Sequence, residues 1–240
     1  MHNAFDDELI ERLRRELQGL SKDPSVRVVV LEAEGKSFSA GADLNWMKRM
    51  ATYDHADNLQ DANNLGKMMA TLNRMRQPTI AVVQGAALGG GVGLVAACDI
   101  AIASEDTVFA LSEVRLGLIP AVIGPYVINA IGERAASRYF LTAERFSAAE
   151  AHRIGLVHEV VAADELLAAR DRVLDNLLLG GPAALAEAKN LISYISNATT
   201  KDEKVVRDTA GHIARVRATD EGQEGVAAFL NKRKPSWVRE

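Results

Sequence analysis

The period of the apolar positions changes several times along the chain. Leu9, Ile10, Leu13 and Leu17 recur at helical spacing from about residue 6, with Asp6 and Asp7 placed for a first turn. Residues 26–33, VRVVVLEA, form a β-branched run that predicts a buried strand. The loop EGKSFSAGAD follows, and a helix is expected from about Leu44. Over residues 57–76, Leu59, Ala62, Leu65, Met69 and Leu72 share one helical stripe. Pro78 opens a second strand, TIAVVQG. Gly89-Gly90-Gly91 then leads into a small-residue helix, GLVAAC, and DIAIAS reads as a further apolar strand.

Strands that are apolar nearly throughout, alternating with helices, predict a parallel sheet covered on both faces. From about residue 124 the pattern is helical, with one short strand at LVHEVV, residues 156–161. Residues 181–240 read as three amphipathic helices without a sheet partner, the kind of tail that packs across a neighbouring subunit. The expected division is an α/β core over residues 1–180 and a helical region over 181–240.

Composition narrows the class. Of 240 residues, 48% are hydrophobic and 25% charged, as in a soluble protein with a sizeable core. A net charge of −4 does not point to nucleic acid or a membrane surface. Cys98 is the single cysteine, so no intramolecular disulfide forms, and a reducing, cytoplasmic setting is expected. No apolar run approaches the ~18 residues that span a bilayer.

Candidate chemistry sits in three segments. FSAGAD (38–43) and GAALGGGVGLVAACD (85–99) each follow a strand, where open α/β sheets bind ligands. Exposed N–H groups at such loops suit negative charge, and two loops converging two donors on one oxygen form an oxyanion hole. In FALSEVRLGLIP (109–120), Glu113 stands among apolar residues, which raises a carboxyl pKa and suits proton transfer. Each feature alone has a plainer reading: glycines for close packing, a solvated or ion-paired glutamate. Only their ordered combination favours function.

In order and spacing, FSAGAD, GAALGGGVG…CD and SEVRLGLIP resemble the signature regions of the crotonase (enoyl-CoA hydratase/isomerase) superfamily, and AFLNKRKPSW resembles its C-terminal helix end. The resemblance implies a ββα spiral core with a C-terminal helical trimerisation region, and a first strand ahead of His2-Asn3-Ala4 that this chain does not include. It implies that the N–H groups of Ala42 and Gly90 hold a thioester carbonyl and that Glu113 moves the proton. Ala40, Asp43, Trp46, Gly89, Gly93 and Pro120 would line the substrate path. Phe229 and Lys232 would reach the CoA of a neighbouring subunit in a homotrimer or a dimer of trimers. No separate cofactor is implied, since coenzyme A is part of the substrate.

Gly93 departs from the family pattern, which places a first glutamate there, and a glycine would leave room for a branched acyl chain. SAGADLNWMK, GGGVG and SEVRLGLIPAVI look most like bacterial methylglutaconyl-CoA and isohexenylglutaconyl-CoA hydratases, in which this glycine is normal. For a dicarboxylic substrate, Lys48, Arg49 and Tyr53 are candidate partners of the distal carboxylate. Three alternatives stay open. One is an enoyl-CoA isomerase, which also needs one base. Another is a non-catalytic oligomeric CoA-binding protein. The third is a dinucleotide site, suggested by G-x-G-x-x-A at residues 91–96.

Overall fold

Asp6 starts the first helix by accepting the Leu9 N–H at 2.8 Å, and α1 runs Asp7–Lys22. Asp7 and Glu8 in its first turn and Lys22 in its last complement the helix dipole. Ile10 and Leu17 of the expected stripe are buried. The computed structural model describes residues 2–196 and 203–238. The chain divides into two units, Met1–Met75 with Thr79–Asp171, and Arg76–Pro78 with Arg172–Glu240.

In the first unit the strand expected over 26–33 is trimmed to Val29–Leu31 (β1). It runs parallel to Thr79–Val83 (β2), in register from Val29↔Thr79 to Leu31↔Ala81. Extending the pair backwards would match residues 26–28 with 76–78, where Pro78 has no N–H to give. Between these strands lie α2, Leu44–Met50, and α3, His55–Asn73. Met68, Met69 and Leu72 of α3 are fully buried, whereas Leu59 is 54% exposed.

Gln84 and Gly85 turn the chain out of this sheet. Gly85 has φ +66, and a Cβ there would stand 1.8 Å from the Lys36 carbonyl oxygen, so only glycine fits. Ala86–Leu88, read in the sequence as part of a glycine loop, is a strand of its own (β3). Next come α4 (Gly90–Ala97), β4 (Ile100–Ser104) and β5 (Val108–Ala110). After a 3-10 turn at Glu113–Leu116 follow α5 (Gly124–Thr142), β6 (Phe146–Ser147), α6 (Ala148–Arg153) and β7 (Glu159–Val161). One sheet has the order β1-β2-β4-β7 and is parallel throughout. The other has the order β3-β5-β6, with β6 antiparallel. All five residues of β2 are buried, and Ile80, Val82 and Val83 each contribute about 1.5–3 kcal/mol of burial. His158 is structural: its Nδ1 accepts the Ala101 N–H at 3.1 Å.

Leu166–Leu179 (α7) leads into the second unit, whose helices are α8 (Pro182–Ser196), α9 (Glu203–Arg217) and α10 (Asp220–Leu230). These three match the helices expected after residue 181. Within this unit the Glu221 carboxylate caps α8 by accepting the N–H groups of Ala183 and Ala184. The Trp237 indole donates to the Leu179 carbonyl at 3.1 Å. Among the described residues no helix is long and apolar enough to cross a membrane.

Candidate active site

Two loops meet because one hydrogen-bonds along the edge of a strand that leads into the other. Ser39 N–H donates to the Ala86 carbonyl at 3.0 Å, and Leu88 N–H donates to the Ser39 carbonyl at 2.9 Å. Residues 37–41 thus extend the second sheet beside β3, and the chain then enters α4 at Gly89. On its other side the first loop is held by Phe5. The Phe5 N–H donates to Gly41 at 2.7 Å, and the Asp43 N–H donates to Phe5 at 2.7 Å. Sequence periodicity did not single out Phe5, an isolated aromatic ahead of a helix cap. Yet a Cβ on Gly90 would meet its ring at 3.0 Å, so Phe5 packs on both loops.

Among the described residues, no acceptor sits against the N–H of Ala42 or of Gly90. Ala42 is exposed, and Gly90 is the first residue of α4, where a helix leaves its N–H groups free. Gly89, with φ +51 and ψ −115, makes the turn that frees the Gly90 donor. Glu113 comes to the same place: a Cβ on Gly89 would be 3.2 Å from its Oε1. Its Oε2 is buried and has no hydrogen-bond partner. Burial pushes the Glu113 carboxyl above its usual range, opposed only by its own backbone N–H. A carboxyl without an ion-pair partner, against the residue that precedes the Gly90 N–H, can take a proton where a nearby oxygen gains charge.

The remaining sequence candidates separate. Ala40 is half-buried and its N–H donates to the His2 carbonyl at 3.0 Å; Pro120 is buried. Asp43 caps α2, accepting from Asn45 N at 2.8 Å and Trp46 N at 3.1 Å. The Trp46 backbone bond holds the Asp43 carboxyl below its usual range. Trp46 is buried, and its indole donates to Asp61 at 3.2 Å, which pins α2 to α3. Asp43→Ala should therefore cost about 1 kcal/mol of capping. In a thermal melt that lowers Tm by about 2–4 °C. Asp43→Asn, an equal cap, should melt like wild type; a melt of Asp43→Ala unchanged from wild type would show that the cap carries no stability.

Gly93 does not face open space, and this corrects the expectation of room for an acyl branch. A Cβ there would come within 2.3 Å of Ile123 Cγ2 and 3.1 Å of Met69 Cε. Arg49 is also not a free cation: it pairs with Asp7, and a Tyr53 hydrogen bond raises its pKa further. Lys48 stays exposed. Phe229 and Lys232 belong to the second unit, at the end of α10, where Phe229 is 82% exposed and Lys232 has φ 53. The spacing that suggested a dinucleotide site has another cause. Gly91 packs on Ser39 and Gly93 on Ile123, while β3 and β4, which flank α4, lie in different sheets. A dinucleotide βαβ unit needs both strands in one sheet.

The chain compares closely with known proteins. The family profile described as enoyl-CoA hydratase/isomerase matches residues 1–240. An enoyl-CoA hydratase from Shewanella pealeana has 47% identity and a TM-score of 0.95, over 98% of this chain and 88% of that one. The 2,3-dehydroadipyl-CoA hydratase of Escherichia coli is 32% identical, over 98% of this chain and 90% of its own. The crotonyl-CoA hydratase of Syntrophomonas wolfei is 30% identical, again over 98% and 90%. With its full length matched and its two-sheet fold shared, this chain belongs to the enoyl-CoA hydratase/isomerase family and is an enzyme.

Proposed function

We propose that this enzyme adds water to the double bond of an enoyl-CoA thioester, or removes it. The Ala42 and Gly90 N–H groups would hold the thioester oxygen, and Glu113 would be the one carboxylate serving both proton steps. What carries this reading is the Glu113 carboxyl, half-bare of partners, lying against the residue that precedes the free Gly90 N–H. In the hydration direction Glu113 takes a proton from water as its oxygen attacks the β-carbon. The electron pair of the double bond moves onto the thioester oxygen, and the same carboxyl then returns the proton to the α-carbon. The two N–H donors are most useful as that oxygen gains charge.

A branched, glutaconyl-type acyl chain is the favoured substrate, on the resemblance of SAGADLNWMK and SEVRLGLIPAVI. Its distal carboxylate would need a cation, and with Arg49 engaged by Asp7, Lys48 is the candidate. Phe229 and Lys232 would approach the CoA of a neighbouring subunit in a trimer or dimer of trimers.

Because a single base is also enough to shuttle a proton between carbons, double-bond isomerisation is the second reading. Oxygen-18 water separates them. With a panel of 2-enoyl-CoAs followed by mass spectrometry, a hydratase puts the label on the β-carbon. Label is expected, fastest with a branched glutaconyl-type CoA. Double-bond migration without oxygen uptake would replace hydration by isomerisation.

A further inference from the structure

Gly89 and Gly93 stand one helical turn apart, the Gly93 N–H donating to the Gly89 carbonyl at 3.2 Å. Positions four apart present one face, and different side chains cover the two glycines. Glu113 Oε1 lies 3.2 Å from where a Cβ of Gly89 would be. Ile123 Cγ2 and Cβ lie 2.3 and 2.8 Å from where a Cβ of Gly93 would be. Ile123 is 3% exposed, and it is the N-cap of α5, where it makes no side-chain capping bond. Ile123 belongs to the buried hydrophobic core, so what it brings to this face of α4 is hydrocarbon.

We infer that Ile123 is a positioning residue for Glu113: seated on Gly93, one turn beyond the carboxyl, it walls that side of the site with hydrocarbon and denies Glu113 a polar partner. Nothing else nearby supplies one. Between Gly90 and Ala97, α4 has no titratable side chain. The 3-10 turn adds Arg115 and α3 adds Lys67, both exposed, and the first turn of α5 adds Tyr126, half-buried. Among the described residues none of the three hydrogen-bonds or ion-pairs with Glu113, whose carboxyl is perturbed by burial first. The consequence is a single carboxyl, held by burial above its usual range, that can both take and return a proton. The inference rests on Glu113 being the proton-transfer group of the proposed reaction.

The test compares Ile123→Val with Ile123→Thr, which share a shape and differ by one hydroxyl. The readout is kcat/KM against pH, with the enoyl-CoA that wild type turns over fastest. Valine keeps the contact on Gly93, so its profile should follow wild type. Threonine offers the carboxylate a donor, which favours the charged form, so the acid limb should move down by roughly half a pH unit or more. Should Ile123→Thr not fold, Ile123→Ala is read in its place, since it admits water to the same spot. In parallel, Gly93→Ala should lower Tm, and Gly93→Ala with Ile123→Ala should recover at least about half of that loss. Threonine and valine profiles that superimpose would overturn the inference, leaving Ile123 a packing residue. A Gly93→Ala variant that melts like wild type would overturn it too. Full activity in Glu113→Gln would instead remove the proposed reaction itself, so the two failures are distinguishable.

Discussion

Glu113→Gln is expected to leave the fold intact while lowering turnover at least about 10²-fold, the lower range for a general acid–base group. The change is nearly isosteric and removes no ion pair, because Oε2 has no partner. It should also stabilise the protein at neutral pH. Burial raises the folded-state pKa of Glu113 above its ordinary 4.5, so the folded state resists losing that proton. Below the ordinary value the carboxyl is protonated both folded and unfolded, and the variant and wild type should melt alike. As pH rises through the ordinary value and then the raised one, unfolding releases a proton more readily and wild type loses stability relative to glutamine. Melts at acid and neutral pH, with turnover assays alongside, check both halves. A variant that keeps most of its activity would remove Glu113 from the mechanism; a variant less stable at neutral pH would show that the carboxylate is satisfied in the fold.

Gly93→Glu is expected to cost folded protein rather than to alter substrate choice. Its Cβ alone would overlap Ile123 at 2.3 Å, against atoms next to the backbone that cannot swing aside as a flexible tip would. Overpacking costs about 1–3 kcal/mol. An unpaired buried carboxylate adds several more, or titrates to avoid it. Together, about 4 kcal/mol or more should lower Tm by about 10 °C, at 2–4 °C per kcal/mol for a chain of this size. Melting temperature and soluble yield are the measurements. If Gly93→Glu instead melted like wild type and changed the kcat/KM ratio between branched and straight-chain enoyl-CoAs, position 93 would line the acyl pocket after all, and the packing against Ile123 would not hold in solution.

Much of this was legible in residue order. Apolar runs and helical stripes marked most of the elements, since a strand buried on both faces and a helix buried on one leave different periods. Two glycine loops, each just after a strand, and one glutamate among apolar residues marked the candidate site, because ligand chemistry gathers where sheets end. β3 was missed because Ala86–Leu88 is three residues long and flanked by glycines; what makes it a strand is pairing with Val108–Ala110, far along the chain. β6 was missed for the same reason, as two residues cannot show a period.

Local pattern by itself therefore determined two glycine loops and Glu113 as candidates, and the family resemblance singled out Ala42 and Gly90 within those loops. Only the tertiary structure decided what surrounds them. It brought Phe5 onto both loops, set the Glu113 carboxyl against Gly89, engaged Arg49 with Asp7, and filled the space above Gly93 with Ile123. Those contacts join residues that sequence spacing cannot relate. Whether a glycine means room or close packing depends on what another part of the chain brings to it, and at Gly93 it is the side chain of a residue thirty positions away.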